Sequence, residues 1–384
     1  MLQRSLLIIF TLCSFSAAQA QTKKQGQGVF RDSLDGAFDF SDFLMELNGF
    51  VPVPYIITEP AVGGFGGALG LVFIRKQPPL IDTVRSNVKI IPTRPTVTGV
   101  AVAYTLNDTW LVGAARSGTW RKFRTRYRII GAYASLNLSF YRTPEGEDEH
   151  EYEFNIKTIP LSGYLMKQFK GTVWSAGLQY LFLSSQVKTR SGDFPDFIDD
   201  KEVDSNVSMP GVVVEFDNRD NIFTPDKGLK FNVNFGWSDD AFGSDYNYTN
   251  LNILAYGYIP FSKKIIGGLR YEMQQVFDDA PFYLLPYVDL RGIPVMRYQG
   301  NIFSVIEGEV RWDFVPRWSI VAFAGTGKAY DAWSDFKDTD YVSSGGAGLR
   351  YLMARKFKLR MGVDVARGPE QWAYYIVMGS AWRK

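Results

Sequence analysis

The stretch Glu307-Gly308-Glu309-Val310-Arg311-Trp312-Asp313-Phe314 places every charged side chain at an odd position and every uncharged side chain at an even position. Successive side chains of a β-strand point to opposite faces, so this segment is predicted to be a strand with one charged face and one apolar face. Leu229 to Trp237 and Phe357 to Ala366 follow the same period of two. Helical spacing explains none of these segments, and the sequence therefore predicts an all-β protein.

Two architectures produce this alternation: a soluble sandwich with its polar faces outside, and a membrane barrel with its apolar faces outside. Aromatic residues make up 15% of the chain, and the final segment, Trp372 to Trp382, sets large apolar side chains against smaller ones. A secretion signal and a mature chain without cysteine also favour the barrel. We expect a transmembrane antiparallel β-barrel of about sixteen strands, because bacterial barrels have even strand numbers.

The N-terminus carries the features of a secretion signal. Arg4 precedes an apolar run from Leu6 to Phe15, and Ala18-Gln19-Ala20 offers a small-x-small cleavage site. The single cysteine, Cys13, lies inside that run. No later stretch approaches the ~18 apolar residues that a membrane helix needs, so a membrane-spanning chain would have to cross with strands. Residues 1–20 are therefore predicted to be a signal peptide.

The rest of the chain is expected to divide into two parts. Residues 21–60 would form a short periplasmic segment, with a small helix between Ser33 and Leu47 that Pro52 and Pro54 would break. Residues 61–384 would form the barrel. The net charge of +2 provides no basic field for DNA or RNA, so no nucleic-acid partner is expected.

Glycines concentrate at the start of the expected barrel and recur near its end. They are Gly63, Gly64, Gly66, Gly67 and Gly70, with Gly379 in the final segment. A strand so rich in glycine pairs weakly. If it meets the last strand, their ladder would be the easiest to open, and we predict a lateral seam there. The alternative is that the glycines relieve a close approach of an N-terminal plug or of a neighbouring backbone.

The sequence offers little for catalysis or for holding a metal or cofactor. His150, the one histidine, lies in an acidic run that is typical of a solvated loop, although general-base chemistry at neutral pH most often uses histidine. A second acidic run would suit divalent ions or solvation but lacks a defined ligand spacing; it comprises Asp193, Asp196, Asp199, Asp200, Glu202 and Asp204. A basic run would suit lipid phosphates at a membrane rim or the field of a lumen; it comprises Arg121, Lys122, Arg124, Arg126 and Arg128. We predict no catalytic residue, no metal site and no cofactor.

The stretch Asp289 to Pro294, followed by Arg297 to Asn301 and Glu309 to Trp312, resembles the barrel of the BamA/TamA outer-membrane superfamily, also called bacterial surface antigen proteins. In that family a Val-Arg-Gly-Phe/Tyr motif lies in an extracellular loop that folds back into the lumen, where its arginine meets an acidic residue of the barrel wall. The matching residues here are Leu290, Arg291, Gly292 and Ile293. A second match, similar to the family's turn before a long central strand, comprises Asp217 to Asn221, Pro225 and Gly228.

Arg291 needs a carboxylate if it lies inside a barrel, because its planar guanidinium would otherwise be left unpaired between apolar walls. Asp364, Glu309 and Glu307 face inward by the alternation and are the candidate partners. This chain has Gly325 where the family has its usual wall aspartate, so the family's pairing cannot be copied. The alternative is that Arg291 is an ordinary surface-loop arginine.

The resemblance implies an integral barrel in the outer membrane of a Gram-negative bacterium, without the periplasmic POTRA modules that receive client chains in that family. It implies insertion or translocation of proteins, or movement of lipid, through a pore and lateral seam, and not an enzymatic reaction. The implied partners are outer-membrane lipid and lipopolysaccharide, together with client membrane proteins or a separate periplasmic protein. A passive outer-membrane pore and a structural surface-antigen barrel are the alternatives.

Overall fold

The computed structural model describes residues 30–78, 80–84, 87–91, 95–142, 149–190, 194, 195, 198 and 200–382. The predicted signal peptide at 1–20 lies outside the described residues, as do Asp193, Asp196 and Asp199 of the second acidic run. In the described part of the chain, no helix has the length and apolar character needed to cross a membrane.

Residues up to Glu46 belong to a small N-terminal unit. Its helix α1 (Ser41–Glu46) begins where the Asp39 carboxylate accepts a hydrogen bond from the backbone N–H of Ser41 at 2.6 Å. Four phenyl rings pack together in this unit with centroids 5.0 to 6.3 Å apart: Phe30, Phe38, Phe40 and Phe43. The small helix expected between Ser33 and Leu47 thus forms only toward the end of that segment.

The second unit begins at Leu47 and is built from strands. A short helix, α2 (Asp200–Val203), precedes one of them. The strands are β1 (Gly49–Ile57), β2 (Gly66–Arg75), β3 (Leu80–Val84), β4 (Asn87–Ile91), β5 (Thr96–Thr105), β6 (Trp110–Trp120), β7 (Thr125–Arg142), β8 (His150–Gln168), β9 (Trp174–Thr189), β10 (Asp204–Asp217), β11 (Gly228–Ser238), β12 (Tyr248–Pro260), β13 (Ile265–Phe277), β14 (Ile302–Val315), β15 (Trp318–Tyr330), β16 (Val342–Ala354), β17 (Leu359–Arg367) and β18 (Trp372–Met378).

Within the described residues, 16 of these strands form one antiparallel sheet whose order follows the chain. The order is β1, β2, then β5 through β18, while β3 and β4 form a separate hairpin in the connection between β2 and β5. The sheet curls into a nearly closed barrel whose two edges are β1 and β18. The prediction of an all-β, sixteen-stranded antiparallel barrel is confirmed.

The barrel wall carries its apolar side chains outside and its charged side chains inside. On β14, Ile306 and Trp312 expose 46% and 49% of their surface, whereas Glu307 and Arg311 expose 1% and 6%. A soluble sandwich would bury the first pair and expose the second. An apolar outer band around a polar interior is what a membrane-spanning barrel presents to lipid. This distribution decides between the two architectures that the sequence left open.

The glycine-rich segment does not form the edge of the sheet, so its assignment to the seam strand has to be corrected. Gly66, Gly67 and Gly70 lie in β2, which pairs with β1 on one side and with β5 on the other. Gly63 and Gly64 precede β2 in left-handed conformations, with φ of 89° and 73°. The seam strands are therefore β1 and β18, and in the described residues no backbone ladder joins them.

Two prolines explain why β1 was not predicted from the sequence. Pro52 and Pro54 were expected to break regular structure, yet both lie in β1, which starts at Gly49 and not beyond residue 61. Residues two apart in a strand direct their N–H groups to the same side, so the two prolines remove donors from one side of β1 only. An edge strand tolerates that loss because one of its sides has no partner.

The connections at the two ends of the barrel differ in length. One end holds five short turns, the start of β1 and the end of β18, together with the connections from β2 to β5 and from β10 to β11; the five turns are residues 120–125, 168–174, 260–265, 315–318 and 354–359. We call it the short-turn end. The opposite end holds longer loops, among them 278–301 between β13 and β14.

The lumen near the long-loop end is filled by a short helical turn, Phe282–Leu284. The Phe282 ring lies 4.8 Å from the ring of Phe140 and 5.2 Å from that of Phe154, measured between centroids. The hydroxyl groups of Tyr283 and Ser205 are hydrogen-bonded at 2.7 Å. Side chains of β7, β8 and β10 therefore seat this turn, and an apolar cluster closes this part of the lumen.

Candidate functional site in the barrel lumen

The loop of residues 278–301 enters the barrel as two limbs that run side by side. The N–H of Val288 donates to the carbonyl of Tyr298 at 2.9 Å, and the N–H of Gly300 donates to that of Pro286 at 3.1 Å. These bonds satisfy backbone groups that the loop would otherwise bury without partners. The tip between the limbs carries the motif that the sequence singled out.

Leu290 and Ile293 hold the tip by burial. They lie in one apolar cluster with Val288, Phe303 and Val305. Leu290 also lies over Gly325 of the barrel wall, where a Cβ atom would come within 2.7 Å of the Leu290 Cδ2. Gly325 thus makes room for the loop at the position where an anchoring aspartate was absent from the sequence.

Gly292 fixes the loop against the strand that forms one side of the seam. Its φ is +94°, and a Cβ atom there would lie 2.9 Å from the backbone nitrogen of Gly368. Its N–H donates to the hydroxyl of Tyr375 in β18 at 2.9 Å. Only glycine meets both the left-handed conformation and the close backbone approach without strain.

Arg291 contacts the three carboxylates that the alternation turned inward. Its Nε lies 2.9 Å from an oxygen of Glu307, its Nη1 lies 2.9 Å from an oxygen of Asp364, and its Nη2 lies 3.0 Å from an oxygen of Glu309. The guanidinium carbon lies 3.5 Å from the ring centroid of Phe323. The structure therefore brings Arg291 and all its candidate partners together, on the wall formed by β14, β15 and β17.

Two further arginines support the same carboxylates. Arg350 of β16 binds Asp364 with both terminal nitrogens, and Arg270 of β13 lies 3.4 Å from Glu307 and 2.6 Å from Glu272. The side chains of Asp364, Glu307 and Arg350 expose 0%, 2% and 3% of their surface. Buried charges need partners on every side, so this network makes removal of any one member costly.

The segment after β18 reaches the same network. Gly379 turns the chain with a φ of +84°, and the N–H of Ser380 donates to the carbonyl of Phe223 at 2.7 Å. Trp382 then packs in a cluster with Tyr256 and Tyr258, and its indole N–H donates to the Glu307 carboxylate. Glu307 thus joins the loop arginine to the segment that follows the seam strand. We call residues 379–382 the tail.

The second matched segment closes part of the short-turn end. In the connection of residues 218–227, Asp220 and Asp226 bind the Lys358 ammonium at 2.8 and 2.5 Å. Arg311 of β14 also binds Asp226 and donates to the carbonyl of Pro225 at 3.3 Å. Burial alone would lower the pKa of Lys358, but hydrogen bonds to the two carboxylates outweigh it and raise that pKa. We call residues 218–227 the floor loop.

The other residues that the sequence considered lie apart from this network. His150 begins β8 and faces Arg142 across the ladder, at the long-loop end. The basic run is split, because Arg121, Lys122 and Arg124 lie in a turn whereas Arg126 points into the lumen and binds Glu215 at 2.6 Å. Among the described residues, no group of histidine, cysteine and acidic side chains is arranged to hold a metal ion.

Sequence reasoning missed Arg270, Arg350 and Trp382. Arg270 could have been predicted from the sequence, because it alternates with Leu269 and Tyr271 and so faces inward by the same rule that selected Glu307. Trp382 was assigned to the apolar face of the last strand, but β18 ends at Met378 and the tail turns into the lumen. No local pattern marks that turn except Gly379.

The chemistry of this site is suited to holding a loop in the lumen. Its charged groups neutralise one another at short range, and the loop contributes one of them, Arg291. Because that arginine has three carboxylate contacts, the loop is stable in the lumen only while the wall strands keep their relative positions.

A comparison with protein-family models matches residues 113–285 to the Omp85 superfamily domain. This part of the chain is an Omp85 superfamily domain. The resemblance to the outer-membrane superfamily that includes BamA and TamA is thereby confirmed at the level of the superfamily. A comparison with curated protein sequences gave no match.

Solved structures of Omp85 proteins share the fold. BamA from Haemophilus ducreyi lacking POTRA domains 1–3 is 14% identical, with a TM-score of 0.58 over 87% of this chain and 70% of that one. CdiB from Acinetobacter baumannii and CdiB from Escherichia coli are each 11% identical with TM-scores of 0.56. This chain covers 59% and 62% of those two proteins. At such identities the likeness establishes the fold.

Proposed function

We propose that this barrel inserts proteins into the outer membrane of a Gram-negative bacterium, or translocates them across it, without making or breaking bonds. The observation that most directly supports this proposal is that Glu307 binds both Arg291 of the inward loop and Trp382 of the tail that follows the seam strand. Movement of β18 at the seam would therefore disturb the contact that holds the loop in the lumen. A protein-conducting barrel needs its seam and its lumen to open together.

The filling of the lumen supports transport that requires a conformational change. At the long-loop end Phe282 and Tyr283 occupy the lumen. Toward the short-turn end a cavity of about 620 Å³ remains, lined by polar side chains that include Arg126, Lys230 and Asn252. A passive pore would leave a continuous aqueous path, whereas this lumen has a polar vestibule that ends at an apolar barrier.

The edges of the sheet support the seam as the route for a client. In the described residues β1 and β18 share no ladder, so separating them breaks no backbone hydrogen bonds between them. Expected partners are client membrane proteins, a separate periplasmic protein, and the lipid and lipopolysaccharide around the barrel. We infer these partners from the superfamily to which residues 113–285 belong.

Site-specific photocrosslinking in cells tests the route. A photoreactive side chain is placed at Ile56 of β1 and at Tyr374 of β18, which expose 46% and 57% of their surface at the seam. The matched controls are Ile306, also 46% exposed, and Tyr271, 42% exposed, on strands away from the seam. We expect adducts with newly made outer-membrane or secreted proteins at the two seam positions and few at the controls.

Two outcomes would contradict the proposal. Adducts of equal yield at Ile56 and Ile306 would show that contact with other proteins is not directed to the seam. An unchanged outer-membrane and secreted proteome after depletion of the protein would remove the transport function and favour a passive pore, which single-channel conductance of the purified barrel would then reveal.

A further inference from the structure

The short-turn end carries a ring of basic side chains. Its five short turns contain no aspartate or glutamate; they are residues 120–125, 168–174, 260–265, 315–318 and 354–359. Their basic residues are Arg121, Lys122, Arg124, Lys170, Lys263, Lys264, Arg317, Arg355, Lys356 and Lys358. The protein as a whole is nearly neutral, so this concentration reflects placement and not composition.

Apolar rings stand beside these cations on the outer surface. Phe123, Phe169 and Phe261 expose 60%, 48% and 68% of their surface, and each lies within two residues of a lysine. The Phe261 ring folds back along the outer face of the wall, where a Cβ atom on Gly267 would lie 2.4 Å from its Cε2. A ring in the acyl region with a cation just beyond it is the arrangement found at the membrane interface.

The opposite end has the opposite charge. Among the described residues, its loops carry Asp239, Asp240, Asp245, Asp278, Asp279, Asp331, Asp335, Asp338 and Asp340. The charge is therefore separated along the barrel axis. The long-loop end also has cations, among them Arg190, Lys201 and Lys337, but acidic residues outnumber them in its described loops, so the attraction for anions is concentrated at the short-turn end.

The distribution around the barrel identifies the occupant. Exposed cations lie in the turns that join β6 to β7, β8 to β9, β12 to β13 and β16 to β17, so they are spread around much of the circumference; the turn from β14 to β15 offers only Arg317, which is buried. A protein partner would contact one arc of that ring, whereas a lipid leaflet contacts all of it. Acidic residues at this end lie outside the five turns: the connection from β2 to β5 contains Asp82, and the Asp220 and Asp226 carboxylates of the floor loop are bound to Lys358.

We propose that this ring binds the phosphate headgroups of anionic phospholipids in the leaflet that surrounds the short-turn end. Short turns of bacterial barrels face the periplasm, so this is the inner leaflet of the outer membrane. The ring fixes the depth and orientation of the barrel, and it acts independently of protein transport. Each basic residue near an anionic membrane surface increases the binding constant for that surface about fivefold.

Lipid selectivity measured by tryptophan quenching tests the proposal. The full chain is folded into vesicles that contain brominated phosphatidylglycerol or brominated phosphatidylcholine, and quenching gives the ratio of the two binding constants. Trp120, Trp174 and Trp318 lie at the ring and report on it. We expect phosphatidylglycerol to be favoured by up to about fivefold, with the preference falling as salt rises.

Variants locate the preference. The ring variant combines K122Q, K170Q, K263Q and K264Q, which replace four of the exposed lysines of the turns. The control variant combines K188Q, R190Q, K201Q and K337Q, exposed cations of the long-loop end. We expect the ring variant to lose the preference, the control to keep it, and replacement of the same ring lysines by arginine to keep it.

The proposal is overturned if the wild-type chain quenches equally in both lipids, or if the control variant loses as much preference as the ring variant. Persistence of the preference in the ring variant would also overturn it. Circular dichroism of each variant in vesicles verifies that the barrel has folded, because a poorly folded variant would lose quenching by both lipids alike.

Discussion

Replacing Arg291 with methionine removes the loop's charge from the lumen while keeping a side chain of similar length. Glu307 retains Arg270 and Trp382, and Asp364 retains Arg350. In the described residues, Glu309 forms its ion pair with Arg291 alone. The variant therefore leaves one buried carboxylate without a contacting cation.

The magnitude follows from that single orphaned charge. Removing one partner of a buried ion pair costs about 3–5 kcal/mol, and the lower end applies because two of the three carboxylates keep a partner. A cost of about 3 kcal/mol raises the population of the released loop on the order of a hundredfold. Amide hydrogen exchange at Val288 and Gly300, whose N–H groups bond across the two limbs, measures that population.

A rescue and a matched control make the prediction specific. R291M combined with E309Q should recover most of the loss, because a neutral amide replaces the stranded charge. R297M is the control in the same loop: Arg297 binds Glu149, whose side chain is 43% exposed, and such a pair contributes about 0–1 kcal/mol. Equal loosening of the loop by R297M and R291M would refute the reasoning, as would a double variant that exchanges as fast as R291M.

Three further predictions concern the loop and the tail. G292A should lower the free energy of unfolding by about 1–3 kcal/mol, because it forces a residue with a Cβ atom into a φ of +94° against a facing backbone. Differential scanning calorimetry measures this loss, and an unchanged melting temperature would contradict the prediction. W382F keeps an aromatic side chain, though a smaller one, and removes the indole N–H that donates to Glu307, so amide exchange in residues 372–379 should be faster. Protection equal to that of the unmodified chain would exclude a tail that restrains the seam strand. The hydrogen bond from Arg297 lowers the pKa of Glu149, so their link is fully present above the ordinary pKa of a glutamate and is lost as pH falls through the lowered value. Proteolysis of the loop should therefore accelerate slightly in acid, and R297M should remove that part of the acid dependence.

Much of the fold was predictable because its signal is local. The alternation from Glu307 to Phe314 fixes which side chains share a face, and strand geometry alone makes that inference. The same local rule turned Asp364, Glu309 and Glu307 inward. It could not say which face meets lipid, and the burial of charged residues in the closed sheet decided that point.

The sequence by itself determined strands with one charged and one apolar face and the loop motif around Arg291, and it favoured an antiparallel barrel with an even number of strands. The tertiary structure decided that β1 with its prolines forms the edge, and that Glu307 accepts from both Arg291 and Trp382. These facts depend on how the sheet curves, because curvature brings residues that are far apart in the chain, such as Glu307 and Trp382, within contact distance. A periodic pattern describes neighbours along one strand and carries no information about which distant segments the curvature brings together.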